Sequence, residues 1–232
     1  MLEVRRSGER GFFDHGWLKS YHTFSFAEYQ DPSWMEFGPL RVINDDRVAP
    51  GEGFGKHGHR DMEILTYILA GELQHRDSMG NGSIIRAGDV QRMSAGTGVT
   101  HSEFNPSADT ELHLLQIWIT PEAVRLAPGY EQKHFSAADK RGRLRLIASH
   151  DGADGSVSLR QDARVFAGLF TGAESASHEL TGGRRAWLQV ARGAVSVGDT
   201  RLQAGDGAHA KGPAQLAVHA GVDAEVLLFD LP

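Results

Sequence analysis

The sequence predicts an all-β protein built as two similar halves in one chain, and three observations predict it. Apolar runs are short and are broken by 28 glycines and frequent turn dipeptides, which favours many brief strands over long helices. A chain of 232 residues suffices for one large β unit or for two domains of about 100–150 residues, each with its own core. A weak internal repeat joins the halves. Leu69-Ala-Gly-Glu72 and Arg86-Ala-Gly-Asp89 are echoed by Ala191-Arg-Gly-Ala194 and Gln203-Ala-Gly-Asp206.

The elements follow in order. Residues 12–39 are rich in aromatics, among them Phe12, Phe13, Trp17, Phe26 and Trp34, with His15 and His22 interleaved. Such a segment most simply wraps and covers the core; the functional alternative is that some rings line a pocket. Residues 40–43 read as a short buried strand and Asn44-Asp45-Asp46 as a turn. Gly51-Glu-Gly-Phe-Gly55 resembles a phosphate-binding loop, but no helix follows, so its glycines are assigned to tight turning ahead of His57. Residues 57–69 pass from polar to apolar, and Gly71 closes the run. Residues 73–76 and 84–86 flank the hairpin signal Asn81-Gly82. A strand at 90–93, a loop at 94–98 and an alternating strand at 99–104 come next, then the strongest buried strand of this half at 112–119. Pro121 and Pro128 punctuate a linker, and the domain boundary is placed near 130, giving 1–130 and 131–232. The second half shows strands near 143–149, 164–170, 186–191, 194–197, 215–219 and 225–229.

Two pairs organise this layout, His57-Gly58-His59 and His101-Ser102-Glu103. Alternate side chains of a strand share a face, so each pair aims two ligand atoms into one space. Three imidazoles and one carboxylate suit first-row metals such as Fe, Cu, Ni, Mn or Zn. A lone His-x-His is usually an accident of composition. Two pairs connected by hairpin-like spacing, which returns the second to the first, mark a site. Alternation leaves the carboxylate open, because Glu63 has the parity of His59 and Glu103 that of His101. His75, His113, His134, His150 and His209 lack such partners and read as structural or exposed. Counting from the repeated turns, the second half has Glu179, Thr181 and Val218 where the first has histidines, with His178 and His219 one residue away. It reads as a copy without a metal site.

Composition narrows the function classes. A net charge of −6 without blocks of like charge disfavours direct nucleic-acid binding. The absence of cysteine excludes disulfides, thiol nucleophiles and Cys-ligated metals. Residues 1–11 lack the apolar core of a signal peptide and no run of 18 apolar residues occurs, so a soluble, cytoplasmic protein with no membrane partner is expected.

Gly51-x5-His57-x-His59-x3-Glu63 followed by Gly71, and Gly88 through His101-x3-Asn105, are close to the two cupin motifs. Seven residues separate Glu63 from Gly71 where six are usual, and Ser94 stands where proline is common. Beyond these, His15-Gly-Trp-Leu18, His22-Thr-Phe-Ser-Phe26, Arg41-Val-Ile-Asn-Asp45, His59-Arg-Asp-Met-Glu63 and Met93-Ser-Ala-Gly-Thr-Gly98 resemble the pirin family of bicupins, and especially its bacterial members with quercetin 2,3-dioxygenase activity. The likeness runs from about Glu9 to Leu231. It implies two tandem cupin (jelly-roll) β-barrels, the first holding one divalent ion, iron(II) before Cu, Ni, Mn, Co or Zn. It also implies His57, His59, His101 and Glu103 as ligands, with Glu63 behind them or as a weak alternative ligand; Asn105 reads as a brace for its own turn, its functional alternative being support of the ligands from behind. The substrates implied are a small aromatic molecule, a flavonol, and O2, with Glu103 as general base and Met93, Leu114 and Trp118 as candidate pocket walls. Eukaryotic pirins, regarded as iron-dependent transcriptional co-regulators, make a metal-dependent protein partner the alternative. An acireductone-type or oxalate-degrading cupin is a third reading.

Overall fold

The computed structural model describes residues 2–232, and their regular secondary structure is almost entirely strand. In chain order the strands are β1 (Glu3–Arg5), β2 (Gly11–Asp14), β3 (Leu18–His22), β4 (Leu40–Val48), β5 (Gly53–His59), β6 (Glu63–Ala70), β7 (Glu72–Asp77), β8 (Gly82–Arg86), β9 (Asp89–Ser94) and β10 (Val99–Phe104). They continue as β11 (Leu112–Ile119), β12 (Gly129–His134), β13 (Arg145–Ser149), β14 (Val157–Ser158), β15 (Arg164–Phe170), β16 (Ala176–Leu180), β17 (Arg185–Val197), β18 (Thr200–Gln203), β19 (Gly207–Lys211) and β20 (Ala214–Leu231). No helix among the described residues is long and apolar enough to cross a membrane.

The chain divides into two compact units. One comprises Gly11–His134 and Val157–Gln161; the other comprises residues 2–10, Phe135–Ser156 and Asp162–Pro232. In the first unit a sheet ordered β12-β9-β6-β11-β4-β3-β2 accompanies a four-stranded sheet ordered β5-β10-β7-β8. The core between them takes Leu18, Val48, Ile68, Leu112 and Leu114 from the larger sheet and Leu73 and Ile85 from the smaller, all buried. Alternation decides which residues meet there. The opposite face of the central strands β6 and β11 is buried and largely apolar as well, through Leu65, Tyr67, Leu115, Ile117 and Ile119.

The second unit follows the order β1-β19-β17-β20-β15-β13, with β16 on β20 and β18 on β17. The N-terminal β1 thus pairs antiparallel with β19, Val4 opposite Ala208. Its core gathers Phe170, Leu188, Val190, Val226 and Leu228, each nearly inaccessible to water.

Two expected features are corrected. Asn44-Asp45-Asp46 is not a turn but the middle of β4, paired with His22, Tyr21 and Ser20 on one side and with Gln116, Leu115 and Leu114 on the other. Its acids are tolerated in the sheet because cross-strand partners satisfy them. His113 Nε2 sits 2.7 Å from Asp45 Oδ1, and Ser20 Oγ donates to Asp46 Oδ1. The expected pairs of short strands at 186–191 with 194–197, and at 215–219 with 225–229, are each one continuous strand, β17 and β20. Register shifts between Val190 and Ser196 mark the bulges that made them look interrupted.

Candidate metal centre

Antiparallel pairing of β10 with β5 places His101 directly opposite His57 and Val99 opposite His59, with a bulge before Glu103. On its other side β10 pairs with β7, His101 opposite Asp77 and Glu103 opposite His75. One face of this sheet therefore carries His57, His59, His101, Glu103, His75 and Asp77. Gly53 makes the close pairing possible: a Cβ there would lie 2.2 Å from the Glu103 carbonyl oxygen and 2.5 Å from Phe104 Cα. The turning role assigned to this loop belongs instead to Gly51, at φ +73°.

The three imidazoles converge through their Nε2 atoms. His101 Nε2 lies 3.0 Å from His57 Nε2 and 2.9 Å from His59 Nε2. His57 Nδ1 lies 2.8 Å from the Gly55 carbonyl, to which it donates, leaving Nε2 its bare nitrogen. Burial, reinforced by the neighbouring rings, lowers His59 to about 4 and His101 to about 3. Both are neutral at physiological pH, as imidazole ligands must be.

Glu103 is buried on the same strand face, in a cluster with His101 and His75. Gln116 Nε2 donates to its Oε2 at 3.0 Å, while its Oε1 is buried with no hydrogen-bond partner. His101 is common to the group with His57 and His59 and to the group with His75 and Glu103, and a buried carboxylate oxygen left unmatched beside that shared imidazole fits a cation, which would supply the missing partner. Burial also raises the Glu103 carboxyl to about 7, with nearby Asp46 adding to the rise, and Asp46 itself stands at about 7, mainly through burial.

Beside this cluster opens a pocket of about 340 Å³ whose lining includes Phe26, Phe54, Trp118, Asn44, Asp46 and Gln116 together with His57, His59 and Glu103. Trp118 meets His59 edge-on at 5.0 Å and Phe26 at 5.3 Å. Part of the aromatic segment thus lines a cavity, through Phe26 with His15 and His22, while Phe24 and Phe37 are core. Of the three expected walls only Trp118 faces the pocket. Met93 packs with Ile64 and Val99, and Leu114 belongs to the intersheet core.

Glu63 lies apart from the imidazole cluster, its Oε2 accepting from Ser94 Oγ at 2.9 Å and from the Arg160 backbone at 3.1 Å. Asn105 is buried and spans backbone carbonyls of Val48, Ala49 and Thr110, bracing the loop after β10. His113 and His134 pair with Asp45 and Asp89, His209 stacks on Trp187, His178 pairs with Asp230, and His219 contacts the Gly198 carbonyl. His75 departs from its expected structural role and sits against His101. The overlooked signal was His75-x-Asp77, which has the His-x-acid spacing of His101-x-Glu103.

A family model described as Pirin matches residues 3–119, and one described as Quercetinase C-terminal cupin domain matches residues 146–231. The chain is 47% identical to a quercetin 2,3-dioxygenase of Escherichia coli (strain K12), over 100% of this chain and 99% of the relative. It is 42% identical to a pirin-like protein of Caulobacter vibrioides, over 99% of each. The crystal structure of YhhW from Escherichia coli has a TM-score of 0.96 at 47% identity, covering 100% of this chain and 98% of that one. Bacterial pirin YhhW in complex with nickel(II) has a TM-score of 0.95 at 46% identity, with coverages of 100% and 99%. On sequence over its full length and on fold alike, the chain belongs to the pirin family.

Proposed function

We propose that this chain is a metal-dependent dioxygenase that opens a flavonol such as quercetin with O2 by breaking the C2–C3 and C3–C4 bonds, so that C3 leaves as carbon monoxide and C2 and C4 each keep one oxygen of O2. The observation that carries the reading is the convergence of His57 Nε2 and His59 Nε2 on His101 Nε2, each at about 3 Å, with the buried Glu103 beside His101 on the same strand, one of its oxygens unpartnered, and with an aromatic-walled pocket. The relatives named quercetin 2,3-dioxygenase and the nickel complex of YhhW support it. His57, His59, His101 and Glu103 would hold one divalent ion, iron(II) being our first choice. When bound, such an ion polarises the oxygens of a chelating substrate and gives it access to O2 chemistry.

The residues of the chain do the rest. Phe26, Phe54 and Trp118 give a planar aromatic substrate an apolar slot of suitable volume. Glu103 takes the proton of the substrate's 3-hydroxyl, which makes the ring electron-rich. Gln116 holds Oε2 throughout, so the carboxylate keeps its aim while its proton content changes. The walls also exclude water from the deprotonated substrate.

The test is aerobic turnover of quercetin by the iron-, copper- or nickel-loaded chain, with carbon monoxide measured. Stoichiometric CO is expected. No turnover with any of these metals, alongside metal-dependent capture of a protein partner, overturns the enzymatic reading.

A further inference from the structure

We propose that His75 and Asp77 are positioning residues that fix His101 in the tautomer whose bare Nε2 faces the metal centre. The inference rests on the metal-centre reading above and concerns what stands behind its most buried imidazole. His75 Nδ1 lies 3.5 Å from His101 Nδ1, the nitrogen opposite the cluster. The other nitrogen of His75, Nε2, lies 3.2 Å from Asp77 Oδ2. A carboxylate only accepts, so His75 donates from Nε2.

The consequence propagates one ring further. A neutral imidazole has a single N–H, so His75 Nδ1 presents a lone pair to His101, and His101 donates from its own Nδ1. His101 Nε2 is then unprotonated, and it is the atom that meets His57 and His59. The opposite assignment would face His75 Nε2 and Asp77 Oδ2 as two acceptors, with both side chains closed to solvent.

Asp77 is itself clamped. Its Oδ1 accepts from the backbone of Met79 at 2.9 Å and Asn81 at 3.0 Å, and its Oδ2 from Asn81 Nδ2 at 2.8 Å. The β7–β8 turn thus holds the carboxylate, and Tyr130 packs on the His75 ring at 5.1 Å. His57 obtains the same result from the Gly55 carbonyl. Orientation of ligating imidazoles by an acceptor at the far nitrogen is a general feature of metal sites, and here it reaches His101 through two residues of the adjacent strand.

Ring 15N–1H correlation spectra of the metal-free wild-type chain read the tautomers directly. His75 is expected as the Nε2–H form; the Nδ1–H form overturns the proposal. This arm needs no variant and decides the matter if a substitution fails to fold. In the second arm, cobalt(II) affinity and visible spectrum are compared. His75→Phe keeps the ring volume and removes the acceptor, so affinity should drop about 10–100-fold and the d–d bands should shift. His75→Gln, whose side-chain carbonyl accepts, should recover most of the loss. Equal affinity and spectra for wild type and His75→Phe overturn the relay and leave the metal centre standing. A wild-type chain that takes up no cobalt overturns the metal centre, and with it the positioning role.

Discussion

Replacing Gly53 with alanine should loosen the metal centre although Gly53 offers no ligand atom. The added Cβ would sit 2.2 Å from the Glu103 carbonyl oxygen and 2.5 Å from Phe104 Cα. Both are backbone atoms, so no side chain can swing aside. Ordinary non-bonded contact requires about 3.5 Å, so β5 and β10 must part by about 1 Å. These strands carry His57 and His101, whose Nε2 atoms are 3.0 Å apart, and a ligand set tolerates misplacement of only about 0.5 Å. Overpacking of this kind costs about 1–3 kcal/mol. At about 2–4 °C per kcal/mol for a chain of this size, the thermal midpoint should fall by roughly 2–12 °C. Nickel(II) affinity by titration calorimetry should drop about tenfold, in the range of indirect perturbations of metal ligands. Gly51→Ala is the control. Its Cβ would meet nothing within 4 Å, but its φ of +73° makes a side chain cost about 1–2 kcal/mol, so it should lower the midpoint and leave nickel affinity alone. Wild-type melting and nickel binding in Gly53→Ala would refute the close-approach reasoning.

Three further outcomes are expected. Glu63→Gln should retain full metal content, since that carboxylate is engaged by Ser94 and Arg160; loss of metal measured by elemental analysis would make Glu63 a ligand. Trp118→Ala should leave bound metal unchanged and raise the KM for quercetin about tenfold, the equivalent of about 1.4 kcal/mol of lost ring contact; an unchanged KM would remove the indole from the substrate wall. Asp46 holds its proton more tightly folded, at about 7, than at its ordinary value of 3.8. Between these values the folded chain binds more protons than the unfolded, so the metal-free protein should lose stability as pH rises from about 4 to 7. Asp46→Asn should therefore gain in thermal midpoint relative to wild type at pH 8 and much less at pH 4.5; an equal difference at both pH values would contradict the assignment.

Two strands of the first unit were legible for different reasons. Period-two alternation marked 99–104 and a continuous apolar run marked 112–119, and they coincide with β10 and β11; the pairing of His57 with His101 follows from the antiparallel register of β5 and β10. The centre of β4 was hidden because Asn-Asp-Asp has the composition of a turn. Only the tertiary structure supplies Ser20 and His113, the partners that let Asp46 and Asp45 be buried. His75 was hidden because it has no neighbouring histidine at two-residue spacing; its partner at that spacing is an acid. Glu63 and Glu103 were indistinguishable by parity, and it is the environment that separates them. One oxygen of Glu63 accepts two hydrogen bonds, whereas one oxygen of Glu103 accepts none.

On the proposed reading, His57 and His59 of β5 and His101 and Glu103 of β10 hold one ion. Equilibrium dialysis against nickel(II), with X-ray absorption on the loaded protein, tests it most directly. We expect one ion per chain in a shell of imidazole nitrogen and carboxylate oxygen, with binding weakened severely in His57→Ala, His59→Ala, His101→Ala and Glu103→Ala. Uptake that is undiminished in all four variants would contradict it.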